Sequence, residues 1–183
     1  MAVAMREHVK EWRCQAWVGV GPPDRAAFLA GRAGWLSERS CNGKKVDRAF
    51  YTSTWLAGAR STAWLDFRRE RGCRRESGLH VWKLVVPDSV VPYVVSDVVS
   101  WDRLAERWPL SGPRRHWMPV DWAAMCRDEE REFAAVNMTA EACFETGSFV
   151  CHHWDVESTL WLEWEFEACE DLGELDIDGE WIR

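Results

Sequence analysis

The stretch RAFYTSTWLAGARSTAWLDF, Arg48 to Phe67, constrains the fold more than any other part of the chain. Ala49, Phe50 and Tyr51 are apolar and aromatic, the side chains that suit a pleated surface. A Thr-Ser-Thr run follows, in which Ser53 or Thr54 can accept from the free amides of a helix's first turn. Beyond it Leu56, Ala59, Ala63, Trp64 and Phe67 line one face at helical spacing. Leu79 to Val86 is again rich in β-formers. A strand, a cap, a helix and a second strand in this order need a sheet for the helix to bury its apolar face against.

The rest of the chain continues the mixture. Trp12 to Val20 reads as a first strand, stopped by Gly21-Pro22-Pro23, with Asp24 capping a short helix, Arg25 to Ala30, that Gly31 closes. Trp35 and Leu36 suggest a brief strand, and Asn42-Gly43 a turn within Ser40 to Asp47. Val90 to Val95 is a short stretch that Pro92 makes an edge or irregular strand. Ser100 to Trp108 reads as a helix with Ser100 as its cap, and Asp121 as the cap of a longer helix, Trp122 to Val136. Ser148 to Trp154 is a strand candidate. In Ser158 to Glu167, Leu160, Leu162, Trp164 and Phe166 alternate with outward Thr159, Trp161, Glu163, Glu165 and Glu167, the pattern of a strand with one wet face. Leu175 and Ile177 suggest a last short strand. The expected fold is α+β: mixed, largely antiparallel sheets forming a split β-sandwich-like core with flanking helices, in a single domain over 1–183.

Charge is divided along the chain. Residues 1–120 carry 20 basic and 12 acidic side chains, and residues 121–183 carry 3 basic and 18 acidic, which together give the net charge of −7. The two parts can neutralise each other in the fold or form separate solvated faces. The overall sign argues against a dedicated nucleic-acid binder. The 14 tryptophans are spread from Trp12 to Trp181, so most are expected in the core and its rim, with a few free to stack on a planar ligand. The 7 cysteines include no C-x-x-C pair and are expected as reduced thiols. No apolar run approaches the length of a membrane span, and Met1 to Trp12 lacks a leader's apolar segment, so a cytoplasmic protein is expected. Cys143, Cys151, His152 and His153 lie close in sequence, but adjacent histidines on a strand point opposite ways and the spacing fits no common zinc pattern; no metal is expected.

Arg13 on the first strand, Ala49-Phe50-Tyr51-Thr52-Ser53 before a helix bearing Ala59, Ala63 and Trp64, and the strand LHVWKLVV after it resemble the N-terminal half of the ADP-ribosyltransferase-like superfamily over roughly residues 12–90. The resemblance implies NAD as substrate, held in a cleft between two sheets, and transfer of ADP-ribose to a protein or nucleic-acid acceptor. It implies that Arg13 contacts the cofactor, that Tyr51 stacks on nicotinamide and that Ser53 fixes a ribose. One branch of the family has a histidine on its first strand; here the matching residues are Trp17-Val18-Gly19 and the histidine is missing.

The family also needs a carboxylate beside the positive charge that develops on the ribose as nicotinamide leaves, as glycosidases do. The family places this acid on a loop that leads into a strand. Two Glu-x-Glu runs are candidates: Glu130-Arg131-Glu132, read as helical, and Glu163-Trp164-Glu165, read as part of a strand. On a strand Glu163 and Glu165 would share a face, whereas on a helix Glu130 and Glu132 would diverge. Two further readings stay open: a non-catalytic interaction module whose partner meets the acidic C-terminal face, and a small-molecule binder lined by tryptophans.

Overall fold

The computed structural model describes residues 12–35, 49–71, 78–111, 120–145, 154, 156–176 and 180–182. They form seven strands and five helices, an α+β chain built around sheets. It divides into two compact units, one made of Met1–Asp24, Tyr51–Val90 and Glu165–Arg183, the other of Arg25–Phe50 and Val91–Trp164.

The first unit holds an antiparallel sheet in the order β2-β1-β3-β7, from strands β1 (Cys14–Gly19), β2 (Phe50–Thr54), β3 (Leu79–Val85) and β7 (Ala168–Leu175). The register Gln15↔Thr54 and Ala16↔Ser53 sets which side chains share a face. On one face Ala16 packs with Val81, Trp55, Leu65 and Leu175 as the core of the unit, rimmed by Cys14, Val18, Trp64, Leu172 and Trp181. Leu65 comes from helix α2 (Ala63–Arg71) and is 1% exposed; truncating it to alanine should cost about 2–5 kcal/mol. On the other face Gln15 is buried and satisfied, donating from Nε2 to Trp12 O (2.7 Å) and Thr54 Oγ1 (3.2 Å) and accepting from Thr52 Oγ1 (2.6 Å) at Oε1.

That network explains a departure from the expected boundaries. The Thr-Ser-Thr run is strand, not cap: the threonine hydroxyls bind Gln15, Trp55 N donates to Cys14 O (2.7 Å), and the chain then turns tightly between Leu56 and Ser61 with Arg60 at φ 48°. The helix begins only at Ala63, and its cap is Thr62, whose Oγ1 accepts from Leu65 N (3.1 Å).

The second unit contains a mixed sheet. Strand β4 (Pro92–Val95) lies parallel to β5 (Ala135–Met138), which lies antiparallel to β6 (Ser158–Trp161). Parallel neighbours need a crossover, and helices α3 (Val98–Arg107) and α4 (Trp122–Arg127) lie in it. Helix α3 starts earlier than expected, with Asp97 as its cap: Ser100 N donates to Asp97 Oδ1 (2.7 Å) and Asp97 N to Ser100 Oγ (3.1 Å), a reciprocal capping box. Helix α1 (Arg25–Trp35) runs through Gly31, which a helix can contain at a cost of about 1 kcal/mol. Helix α5 (Ala140–Glu145) is capped by Thr139 through Ala142 N (3.2 Å). Trp101, Leu104, Trp108, Trp122, Met125, Val136, Leu160 and Trp161 are all buried in this unit.

Asp121 does cap helix α4, but the helix stops at Arg127 rather than Val136. The reason is Asp128, whose carboxylate takes Trp108 Nε1 (3.0 Å) and Glu130 N (2.9 Å), a side-chain turn that competes with the helical ladder. The residues after it form a loop and then β5. Strand β6 is also shorter than the alternation suggests: all four residues are buried, and Leu162 N and Glu163 N both donate to Ala134 O (2.9 and 3.2 Å) where the ladder ends. Trp161 and Leu162 are both 0% exposed, so no wet face exists there. The last strand, β7, is longer than expected and bulged opposite Val81 and Trp82. Trp35, expected in a brief strand with Leu36, ends helix α1 instead, and Trp154, the last residue of the expected Ser148 to Trp154 strand, is not in a strand; Leu36, residues 40–47, residues 148–153 and Ile177 lie outside the described residues.

Candidate functional site

The sequence candidates fall in both units. Arg13, just before β1, is committed to the turn after β3: it donates to Pro87 O and to Asp88 O (2.9 Å), and its Nε pairs with Asp88 Oδ1 at 2.9 Å. Tyr51 and Ser53 are two residues apart on β2 and therefore share a face with Ala16. Tyr51 is half-buried and Ser53 is 3% exposed. Glu165 is half-buried in the irregular run before β7.

In the second unit, Glu163 is not on a strand. Its Oε1 accepts from Nη2 of Arg131, a guanidinium that also donates to Phe133 O (2.7 Å) and Met125 O (2.6 Å). Glu163 and Glu165 therefore do not project together from a strand face, which corrects the geometric preference for that pair. Glu130 is not helical either; it is exposed, on the loop between helix α4 and strand β5, and its carbonyl accepts from Arg107 (3.3 Å).

The sequence reading passed over a different acid. Glu157 immediately precedes β6 and is only 7% exposed. Its Oε1 accepts from Asn137 Nδ2 (2.9 Å), and the same nitrogen donates to Thr159 Oγ1 (3.0 Å). Asn137 and Thr159 are cross-strand partners on β5 and β6, both 0% exposed. This polar cluster lies toward the carboxyl end of β5, where Thr139 starts the next helix. An acid one residue before a buried strand was the available signal; the supposed alternation of Ser158 to Glu167 drew attention past it.

Several acidic side chains of the C-terminal part are partnered by basic ones of the first part. Lys83 Nζ meets Glu170 Oε2 (3.1 Å), Arg69 Nε meets Glu180 Oε1 (3.1 Å), and His80 Nδ1 meets Asp171 Oδ2 (2.9 Å). Asp171 also accepts from Gly173 N (2.9 Å); that bond first, and His80 second, hold its carboxyl below the usual range. His80 stacks on Trp82 at 5.9 Å. Burial, and then Asp171, push the exposed Cys169 thiol upward, away from nucleophile chemistry. No family model, no curated protein and no solved structure matches this chain.

Among the described residues no group of three metal-ligating side chains comes together, and no helix is long and apolar enough to cross a membrane. Of the four residues in the Cys-His run, only Cys143 lies within the described residues.

Proposed function

We propose that this chain is an ADP-ribosyltransferase-like protein that takes NAD and transfers ADP-ribose, with Glu157 as its acid. The observation that carries the reading is the placement of Glu157: a buried carboxylate on the segment leading into a strand, accepting from Asn137. That is the position the family resemblance assigns to the acid. A carboxylate acts in this chemistry by stabilising positive charge, and it does so best where water is excluded. In the reaction the ribose–nicotinamide C–N bond breaks, nicotinamide leaves with the electron pair, and the oxocarbenium at C1 is captured by an acceptor that gives up its proton. The acid is assigned within the second unit alone; in the first unit Arg13, to which the resemblance gives a cofactor contact, holds the Pro87–Asp88 turn. Glu130 also stands before a strand and remains the alternative acid, but water surrounds it. The acidic surface that a purely interacting module would use is partly occupied by Lys83, Arg69 and His80.

The test is release of nicotinamide from NAD with water as acceptor. Glu157→Gln should lower turnover by about 10²–10³-fold while calorimetry shows NAD still bound; Glu130→Gln and Glu165→Gln should retain turnover. Absence of NAD binding at millimolar concentration, or full turnover in Glu157→Gln, would overturn the assignment.

A further inference from the structure

Strand β5 reads Ala135, Val136, Asn137, Met138, and all four residues are buried. Asn137 is its polar exception, placed where an aliphatic side chain would cost nothing in desolvation. Resting on the function proposed above, we infer that Asn137 is the positioning residue for Glu157, aiming its carboxylate rather than merely filling the core.

The geometry is specific. An amide nitrogen carries two hydrogens, and both are committed, one to Glu157 Oε1 at 2.9 Å and one to Thr159 Oγ1 at 3.0 Å. Thr159 is the cross-strand partner of Asn137, so the sheet register itself holds the second anchor. With one N–H fixed to the strand, the other can point in only one direction. The carboxylate that accepts it is restrained by a charge-assisted bond, the stronger kind. Leucine at 137 would fill similar volume but offer Glu157 no donor; aspartate would set an acceptor against an acceptor.

The experiment has two independent readouts on the full chain. In the first, nicotinamide release is measured for Asn137→Leu and Thr159→Val. Misaiming a group that acts only on the transition state lowers kcat by about 10–100-fold, with KM for NAD unchanged. Thr159→Val, which keeps Asn137 but removes its second anchor, should fall between Asn137→Leu and the parent. In the second, the Glu157 carboxyl carbon is followed by NMR in ¹³C-glutamate-labelled protein, its signal identified by its loss in Glu157→Gln. Both variants should shift that signal. An unshifted signal in Thr159→Val overturns the inference whether or not NAD is turned over, and that variant serves even if Asn137→Leu does not fold. Full turnover in Glu157→Gln removes the functional reading instead. Loss of turnover in Glu157→Gln, together with parental kcat in Asn137→Leu, overturns the positioning role alone.

Discussion

Glu163 resembles a catalytic acid in the sequence, yet its structural setting gives it another duty, and removing it provides a quantitative test. Its partner Arg131 has a side chain only 3% exposed, while Glu163 is 41% exposed. In Glu163→Ala the guanidinium keeps the carbonyls of Phe133 and Met125 but loses its counter-charge. Stripping one partner from a fully buried pair costs about 3–5 kcal/mol, and from an exposed one about 0–1 kcal/mol. The carboxylate reaches water and the guanidinium does not, so the expected loss is about 2 kcal/mol. Arg131→Met should cost more, about 3 kcal/mol, because two buried carbonyls lose their donor while much of the aliphatic stem is retained. The double variant should fall short of the sum by about 1–2 kcal/mol, the signature of direct coupling. Urea unfolding followed by tryptophan fluorescence measures each, provided the slope with denaturant is unchanged. A loss below about 0.5 kcal/mol for Glu163→Ala, the range of an ordinary surface change, would refute the reasoning. Nicotinamide release per folded molecule should be unaffected, which separates this residue from Glu157.

Three further outcomes follow from the first unit. Gln15→Ala removes a donor and acceptor shared by Trp12, Thr52 and Thr54 and leaves a cavity; urea unfolding should show a loss of about 2–4 kcal/mol. A Cβ at Gly19 would lie 2.1 Å from the Trp17 ring, so Gly19→Ala must displace that indole, and near-ultraviolet circular dichroism should change while far-ultraviolet does not. For Asp171, whose folded carboxyl is held below its ordinary value, the stabilisation is complete above an unfolded pKa of about 3.9 and fades as pH falls through the lower folded value. The difference in urea midpoint between the parent and Asp171→Asn should therefore be constant at neutral pH and close on acidification; a gap that widens in acid would contradict this.

Local chemistry alone determined much of this protein. The strands at Cys14–Gly19 and Leu79–Val85, the start of the strand at Phe50 and Tyr51, and the Asp121 cap follow from residue type and spacing, because β-branched and aromatic runs and side-chain caps act within a few residues. The α+β class was legible for the same reason. Where elements end was decided elsewhere. Thr52 and Thr54 remain in strand because Gln15, far away in sequence, accepts from the Thr52 hydroxyl and donates to that of Thr54. Helix α4 stops because Asp128 finds Trp108 Nε1, and the alternation after Ser158 means nothing once Arg131 claims Glu163. The acids show the division most clearly. Every glutamate looks alike in sequence, and only burial and a donor on a neighbouring strand distinguish Glu157 from the rest, since desolvation depends on which strands pair and not on what precedes or follows a residue along the chain.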